Sequence, residues 1–281
     1  MRSPASLKPA AVAKLPRQVG ATSRWPPVAL AIPFLLALGF VVLPLAGLLW
    51  KAPWGHVVDD LATSTVGTAL RLSLVCSLGA MAISALLGIP LAWVLARVDI
   101  PGRSLLRALT MLPMVLPPVV GGVALLLAFG RNGLVGQWLY RATGYSLPFT
   151  TAGAMLAEAF VAMPFLVLTV EAGLRSADRR LEDAAATLGA NRWTTFRRVT
   201  IPMVAPSLFA GLALAWARAL GEFGATITFA GNFPGTTQTV PLAVYVALES
   251  QPEVAIVLSL LLLALSIVLL VSLRDRWFPT R

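Results

Sequence analysis

The chain has 281 residues, 58% of them hydrophobic and only 12% charged, with a mean hydropathy of +0.82 and a formal net charge of +10. Soluble domains hold about 45–50% apolar and about 25% charged residues, so water is not the main solvent of this chain. A single Cys (Cys76) and a single His (His56) argue against a disulfide framework and against a Cys/His metal site, which takes three or four ligands; the basic residues fall between apolar runs, which suits an anionic membrane surface better than nucleic acid.

Residues 1–27 are basic and rich in Pro and Ala. Such a segment buries no core, so a disordered arm that helps fix orientation is expected. Val28 to Trp50 follows, 23 residues without a charge, enough at 1.5 Å per residue to cross a hydrocarbon core of about 30 Å. It exceeds the apolar region of a cleaved signal peptide, and no small-x-small cleavage site follows it.

Five more spans are expected at Leu72 to Ala96, Leu106 to Phe129, Thr151 to Leu174, Met203 to about Leu220, and Val254 to Leu273. The fold class is therefore all-α, a polytopic bundle of six transmembrane helices over residues 28–273 with a short tail, 274–281. Six spans place both ends on one side. Seventeen of the 22 Lys and Arg residues lie on that side, in the arm, in the second-to-third and fourth-to-fifth loops, and in the tail. The positive-inside rule makes that side cytoplasmic, as expected of a multi-pass protein of the bacterial inner membrane.

Within the second span Ala80, Ser84 and Gly88 recur every fourth residue and allow a close helix approach. The third span holds Pro113, Pro117 and Pro118 before Gly121 and Gly122. Each Pro removes a donor and clashes with the preceding turn, so a break is expected there. Irregular backbone at membrane depth survives only inside protein or beside a water-lined cavity, which favours a pathway-facing element.

The loop between the fourth and fifth spans, about 175–201, is polar and helix-forming. Asp178 is a natural N-cap and Gly189 a natural left-handed terminator, so a short helix is expected between them. Leu181, Ala184, Ala185 and Leu188 fall at i, i+3, i+4 and i+7 and form one narrow apolar face. Such a face fits a groove on a partner protein, the lipid surface or its own bundle. Asn191 is placed to cap a second turn that carries Trp193 and Phe196.

The stretch Asp183-Ala-Ala-x-x-x-Gly189, followed after nine residues by Val199-x-Ile201-Pro202, resembles the EAA loop of bacterial ABC importer permeases. Asp183 stands where that family usually has Glu, one methylene longer. The resemblance implies a coupling helix that docks on a separate ATP-hydrolysing subunit, with Leu181, Asp183, Ala184, Ala185, Leu188 and Gly189 as its residues. It also implies a homodimer, two cytoplasmic ATPase subunits that hold ATP and Mg, and an extracytoplasmic oxyanion-binding protein. The chain contains no G-x-x-x-x-G-K-[ST] phosphate loop, so no cofactor of its own and no enzymatic activity are expected.

Residues Arg218 to Tyr245, with Gly-Glu-Phe-Gly, Ala-Gly-Asn and Thr236-Thr-Gln-Thr239, resemble molybdate importer permeases. Sulfate and thiosulfate permeases share the first two portions and usually differ at the last. The Pro-rich third span and Gly130-Arg-Asn-Gly133 are similar to the same group, and the resemblance runs over about residues 64–273. It implies import of molybdate or tungstate, with sulfate as the alternative substrate and an ion-coupled secondary transporter as the alternative of another class.

A dianion meets a Born penalty of tens of kcal/mol in hydrocarbon and needs a donor-lined path. Candidate gate or pathway residues are Pro117, Pro118, Arg218, Glu222, Thr226, Thr228 and Asn232, although Thr, Asn and Gly also favour turns that bond to themselves. Arg218 and Glu222 are four residues apart and neighbours on a continuous helix, where an ion pair is expected to remove the repulsion Glu222 would exert on an anion. Glu158 and Glu171 lie in or near the fourth span, with Glu171 expected to reach water and Glu158 harder to place.

Overall fold

The computed structural model describes residues 28–277, with side chains described from Leu30 to Ser272; the arm 1–27 and residues 278–281 of the tail lie outside the described residues. Among the described residues helices are the regular elements, joined by turns and loops, and the chain divides into two compact units, Met1–Gly47 and Leu48–Arg281. The first unit carries most of helix α1 (Val28–Trp50), which contains Pro33 and Pro44. Its stretch Leu30–Trp50 has a mean hydropathy of 2.5 over 21 residues, which meets the length a bilayer demands.

The second unit opens with α2 (Val57–Leu61) and the long α3 (Ser64–Arg97). A broken pair follows, α4 (Arg103–Val115) and α5 (Pro118–Phe129), then the short α6 (Gly136–Thr143) and the long α7 (Thr151–Ser176). A hairpin of α8 (Arg179–Thr187) and α9 (Arg192–Thr195) passes through a π turn, Phe196–Thr200, into α10 (Ile201–Leu220). Two short helices, α11 (Gly224–Ala230) and α12 (Val240–Ser250), precede α13 (Pro252–Trp277). Among the described residues five helices are long and apolar enough to cross a membrane, and the α4–α5 pair makes the sixth span if taken as one.

The break in that pair follows from its prolines. Leu116 precedes Pro117, and Pro117 precedes Pro118, so both are pushed out of the helical region. Leu116 lies at φ −63°, ψ 135° and Pro117 at φ −53°, ψ 131°. Two extended residues in succession turn the axis by 117°, and Pro118 then starts α5, where its missing N–H costs nothing.

α3, α7 and α10 form the core. Ala80, Ala92, Ala159, Ala162, Ala215 and Ala219 are buried there around Leu166 and Val167. Small residues let backbones approach, which replaces the hydrophobic drive that lipid cannot supply. The four-residue repeat in α3 has this role: Ala80, Ser84 and Gly88 are all buried, and a Cβ at Gly88 would lie 3.2 Å from both Leu166 and Val167. Polar ties supplement the packing. Trp216 Nε1 donates to Ser77 Oγ at 3.0 Å, and the Val240 N–H at the head of α12 donates to Ser73 Oγ at 2.7 Å.

Candidate functional site

The hairpin at one end of the bundle is built locally as its caps dictate. Asp178 accepts from the Arg180 N–H at 2.9 Å, and Asn191 from the Thr194 N–H at 2.8 Å. Gly189 takes φ +86°, the left-handed conformation that closes a helix at little cost only for glycine. The Ala190 N–H then returns to the Ala185 carbonyl at 3.0 Å.

The hairpin shows apolar side chains outward. Leu188 is 89% exposed, Trp193 68% and Leu181 53%. Ala184 is exposed as well, and Ala185 is half-buried. Trp193 stacks on Phe196 with ring centroids 5.8 Å apart.

Attachment to the bundle falls to a residue that the loop motif does not point to. Glu182, not Asp183, carries it. Its Oε1 pairs with Arg97 Nη2 at 3.1 Å and accepts from Thr200 Oγ1 at 2.8 Å, tying α8 to the end of α3 and to the head of α10. Asp183 is exposed. Arg97 is 85 residues away in sequence, so no local pattern marks the pair; the weak signals are an acidic residue in a first helical turn and a cation closing a span.

Other charges at this end have similar work. Arg107 of α4 binds the Glu171 carboxylate, and Arg175 Nε reaches the same oxygen at 3.1 Å. Glu171 was expected to reach water, yet it is 4% exposed. Two guanidinium groups replace its hydration, and one of them fastens the broken span to α7. Arg103 Nε donates to the Leu95 carbonyl at 2.7 Å, filling one of the open acceptors at the end of α3.

The second group of candidates gathers where α5 meets α11. A Cβ on Gly122 would lie 2.5 Å from Thr228 Cβ, and one on Gly224 would lie 2.7 Å from Pro118 Cβ, so both glycines are demanded by contact. Arg218 Nη2 meets Glu222 Oε2 at 2.6 Å, the ion pair expected from their spacing. Glu222 is 1% exposed, and its other oxygen accepts from the Ala225 N–H at 2.8 Å. It thereby caps the start of α11 as well as holding the cation.

Thr226 and Thr228 lie on α11, and an exposed loop is not their setting. Thr228 Oγ1 donates back to the Gly224 carbonyl at 2.8 Å, whereas Thr226 Oγ1 is buried without a partner. Asn232 Oδ1 and Glu158 Oε2 are likewise buried and unpartnered. Pro117 is exposed and lies next to the break. The short helices α11 and α12 were not expected as elements; for α11 the reason is that Gly221, Gly224 and Gly231 read as loop. Arg218, Glu222, Pro118, Thr226 and Thr228 come together here, while the six hairpin candidates form a separate site.

The model of the binding-protein-dependent transport system inner membrane component family matches residues 88–279, which include the hairpin, the broken span and the α11 region. The chain belongs to this family. The molybdenum transport system permease protein ModB of Mycobacterium tuberculosis (strain ATCC 25618 / H37Rv) is 43% identical over 247 residues, covering 87% of this chain and 92% of the relative. The sulfate transport system permease protein CysT of Escherichia coli (strain K12) is 37% identical over 240 residues, covering 85% of each. A crystal structure of a bacterial ABC transporter involved in the import of the acidic polysaccharide alginate is similar at a TM-score of 0.69 and 19% identity, covering 88% of this chain and 93% of that one. As a member of the family, the chain is a multi-pass membrane component of a transport system, and its fold is that of an importer permease.

Proposed function

We propose that this chain is the membrane subunit of an ATP-driven importer for molybdate or its close analogue tungstate, working as a homodimer with two cytoplasmic ATPase subunits and an extracytoplasmic oxyanion-binding protein. ATP and Mg belong to the ATPase partner, since the sequence holds no phosphate loop of its own. Both chain ends and the α8–α9 hairpin face the cytoplasm, in keeping with the excess of Lys and Arg on that side.

The observation that carries the reading is the hairpin itself. It offers Leu181, Leu188 and Trp193 to a partner while Glu182 fastens it to two membrane helices. A push on the exposed face is thereby delivered to α3 and α10 together. An exposed apolar face with a rigid polar root suits a helix that fills a partner's groove.

At the other site the Arg218–Glu222 pair and the tight α5–α11 contact form the gate element. Charge on Glu222 is balanced there, so an approaching dianion is not repelled outright. ATP-driven closure of the partner biases inward and outward states, with alternate access as the outcome.

The choice of molybdate rests on relatives of that name at 43% identity against 37% for a sulfate permease, a difference that leaves sulfate as the second reading. Uptake of labelled molybdate by a strain lacking this chain, with and without the gene restored, tests the proposal. Restored uptake that a large excess of sulfate does not suppress is expected. Suppression by equimolar sulfate would assign the chain to sulfate, and uptake that survives loss of ATP would end the ATP-driven reading.

A further inference from the structure

A cleft of about 390 Å³ opens between the end of α3 and the α8–α9 hairpin, on the side of α8 that carries Glu182 and Asp183. Three arginines line it, Arg97, Arg179 and Arg192. Two acidic residues, Glu182 and Asp183, line it as well. Glu182 is already matched by Arg97, so Asp183 remains against two cations and the cleft keeps a surplus of positive charge.

Arg97 supplies the second observation. Its side chain is only 8% exposed, and its Nε is buried without any hydrogen-bond partner. A buried donor left unsatisfied is costly. Release of its bond to Glu182 would let that donor turn toward an acceptor in the cleft. Arg179 is held at the rim by an Nη2 contact to the Ala96 carbonyl at 3.5 Å, and the Thr195 hydroxyl adds a neutral donor to the lining.

Planar guanidinium forks match the paired oxygens of phosphate-type groups, which a carbonyl or a single carboxylate does not fully use. We propose that this cleft binds a tetrahedral oxyanion group of phosphate chemistry, held by Arg179 and Arg192 and completed by Arg97. The group is either the phosphate of an anionic phospholipid or a free inorganic oxyanion. Its ligand competes with Glu182 for Arg97, so occupancy loosens the bond that roots the hairpin.

The test uses the full chain in nanodiscs. With a phosphatidylcholine bilayer, inorganic phosphate is titrated by calorimetry; with a phosphatidylglycerol mixture, lipid retained after extraction is counted by native mass spectrometry. Binding in the first arm identifies a free anion, and selective retention in the second identifies the lipid phosphate. In either arm the double variant Arg179→Gln/Arg192→Gln weakens binding at least about tenfold, and Asp183→Asn tightens it by about threefold through removal of a like charge. A misfolded variant does not bind more tightly, so the second change guards the first. Absence of binding in both arms overturns the site, as does binding that the double variant leaves unchanged or that Asp183→Asn fails to strengthen.

Discussion

The α8–α9 hairpin and the α5–α11 junction solve opposite problems with the same few residue types. In the hairpin apolar groups point outward and one carboxylate is turned to the bundle, with Leu188 at 89% exposure and Glu182 bonded to Arg97 and Thr200. At the junction a carboxylate and a hydroxyl are sealed inside, with Glu222 at 1% and Thr226 at 0%, and glycines set the spacing. On the proposed reading, the hairpin keeps contact area in reserve for another protein. The junction, at membrane depth, keeps most of its polar groups satisfied or hidden, because hydrocarbon offers them no partner.

The sharpest way to break this contrast is at the buried charge. Arg218→Ala leaves Glu222 without its cation and is expected to cost about 3–5 kcal/mol, measured by unfolding in detergent. Arg218→Ala combined with Glu222→Ala is expected to be milder than the sum of the two single changes. Equal additivity would mean that the pair contributes nothing to the junction.

Next comes the root of the hairpin. Glu182→Ala removes two bonds, one to a buried guanidinium, and is expected to cost about 2–3 kcal/mol. Transport is expected to fall while the partner subunit continues to hydrolyse ATP, as read by parallel uptake and phosphate release in proteoliposomes. Glu182→Gln keeps an acceptor for Thr200 and is expected to show a smaller loss. Hydrolysis and uptake declining together would place the defect in docking and not in transmission.

Gly122→Ala tests the junction by crowding. Its new methyl meets Thr228 Cβ at 2.5 Å, and overpacking of this kind costs about 1–3 kcal/mol. A lower melting temperature and reduced uptake are expected, with partial recovery when Thr228→Gly is added. Leu188→Ala sits at the other end of the scale. It is expected to change stability by no more than about 0.5 kcal/mol, yet to weaken binding of the ATPase subunit by about tenfold or more, as interface anchors do. Unchanged binding would remove Leu188 from the docking face.

The hairpin was legible in the sequence because its signals are local. Asp178, Gly189 and Asn191 cap by rules that span a few residues, and each takes the expected place. The break before Pro118 was legible for the same reason. The Arg218–Glu222 pair followed from helical spacing alone. Glu182–Arg97 and Arg107–Glu171 were not visible, since the partners lie 85 and 64 residues apart and only the packed bundle brings them together. α11 was hidden by Gly224 at its head, whose helix cost of about 1 kcal/mol is offset by the close contact it allows with Pro118 of α5. Glu171 misled because position in a span does not reveal which cations a neighbouring helix will bring.

The π turn at Phe196–Thr200 gives the hairpin a further property. Pro202 has no N–H to donate to the carbonyl of Arg198 and its ring crowds that turn, and the helix answers by widening upstream, with the Ile201 N–H reaching back to the Phe196 carbonyl. A widened turn of this kind is a single-turn bulge that holds one residue more than an α turn. Placed between Trp193 and α10, the added residue turns the exposed face of the hairpin by roughly 100° about the helix axis relative to the membrane helix that follows.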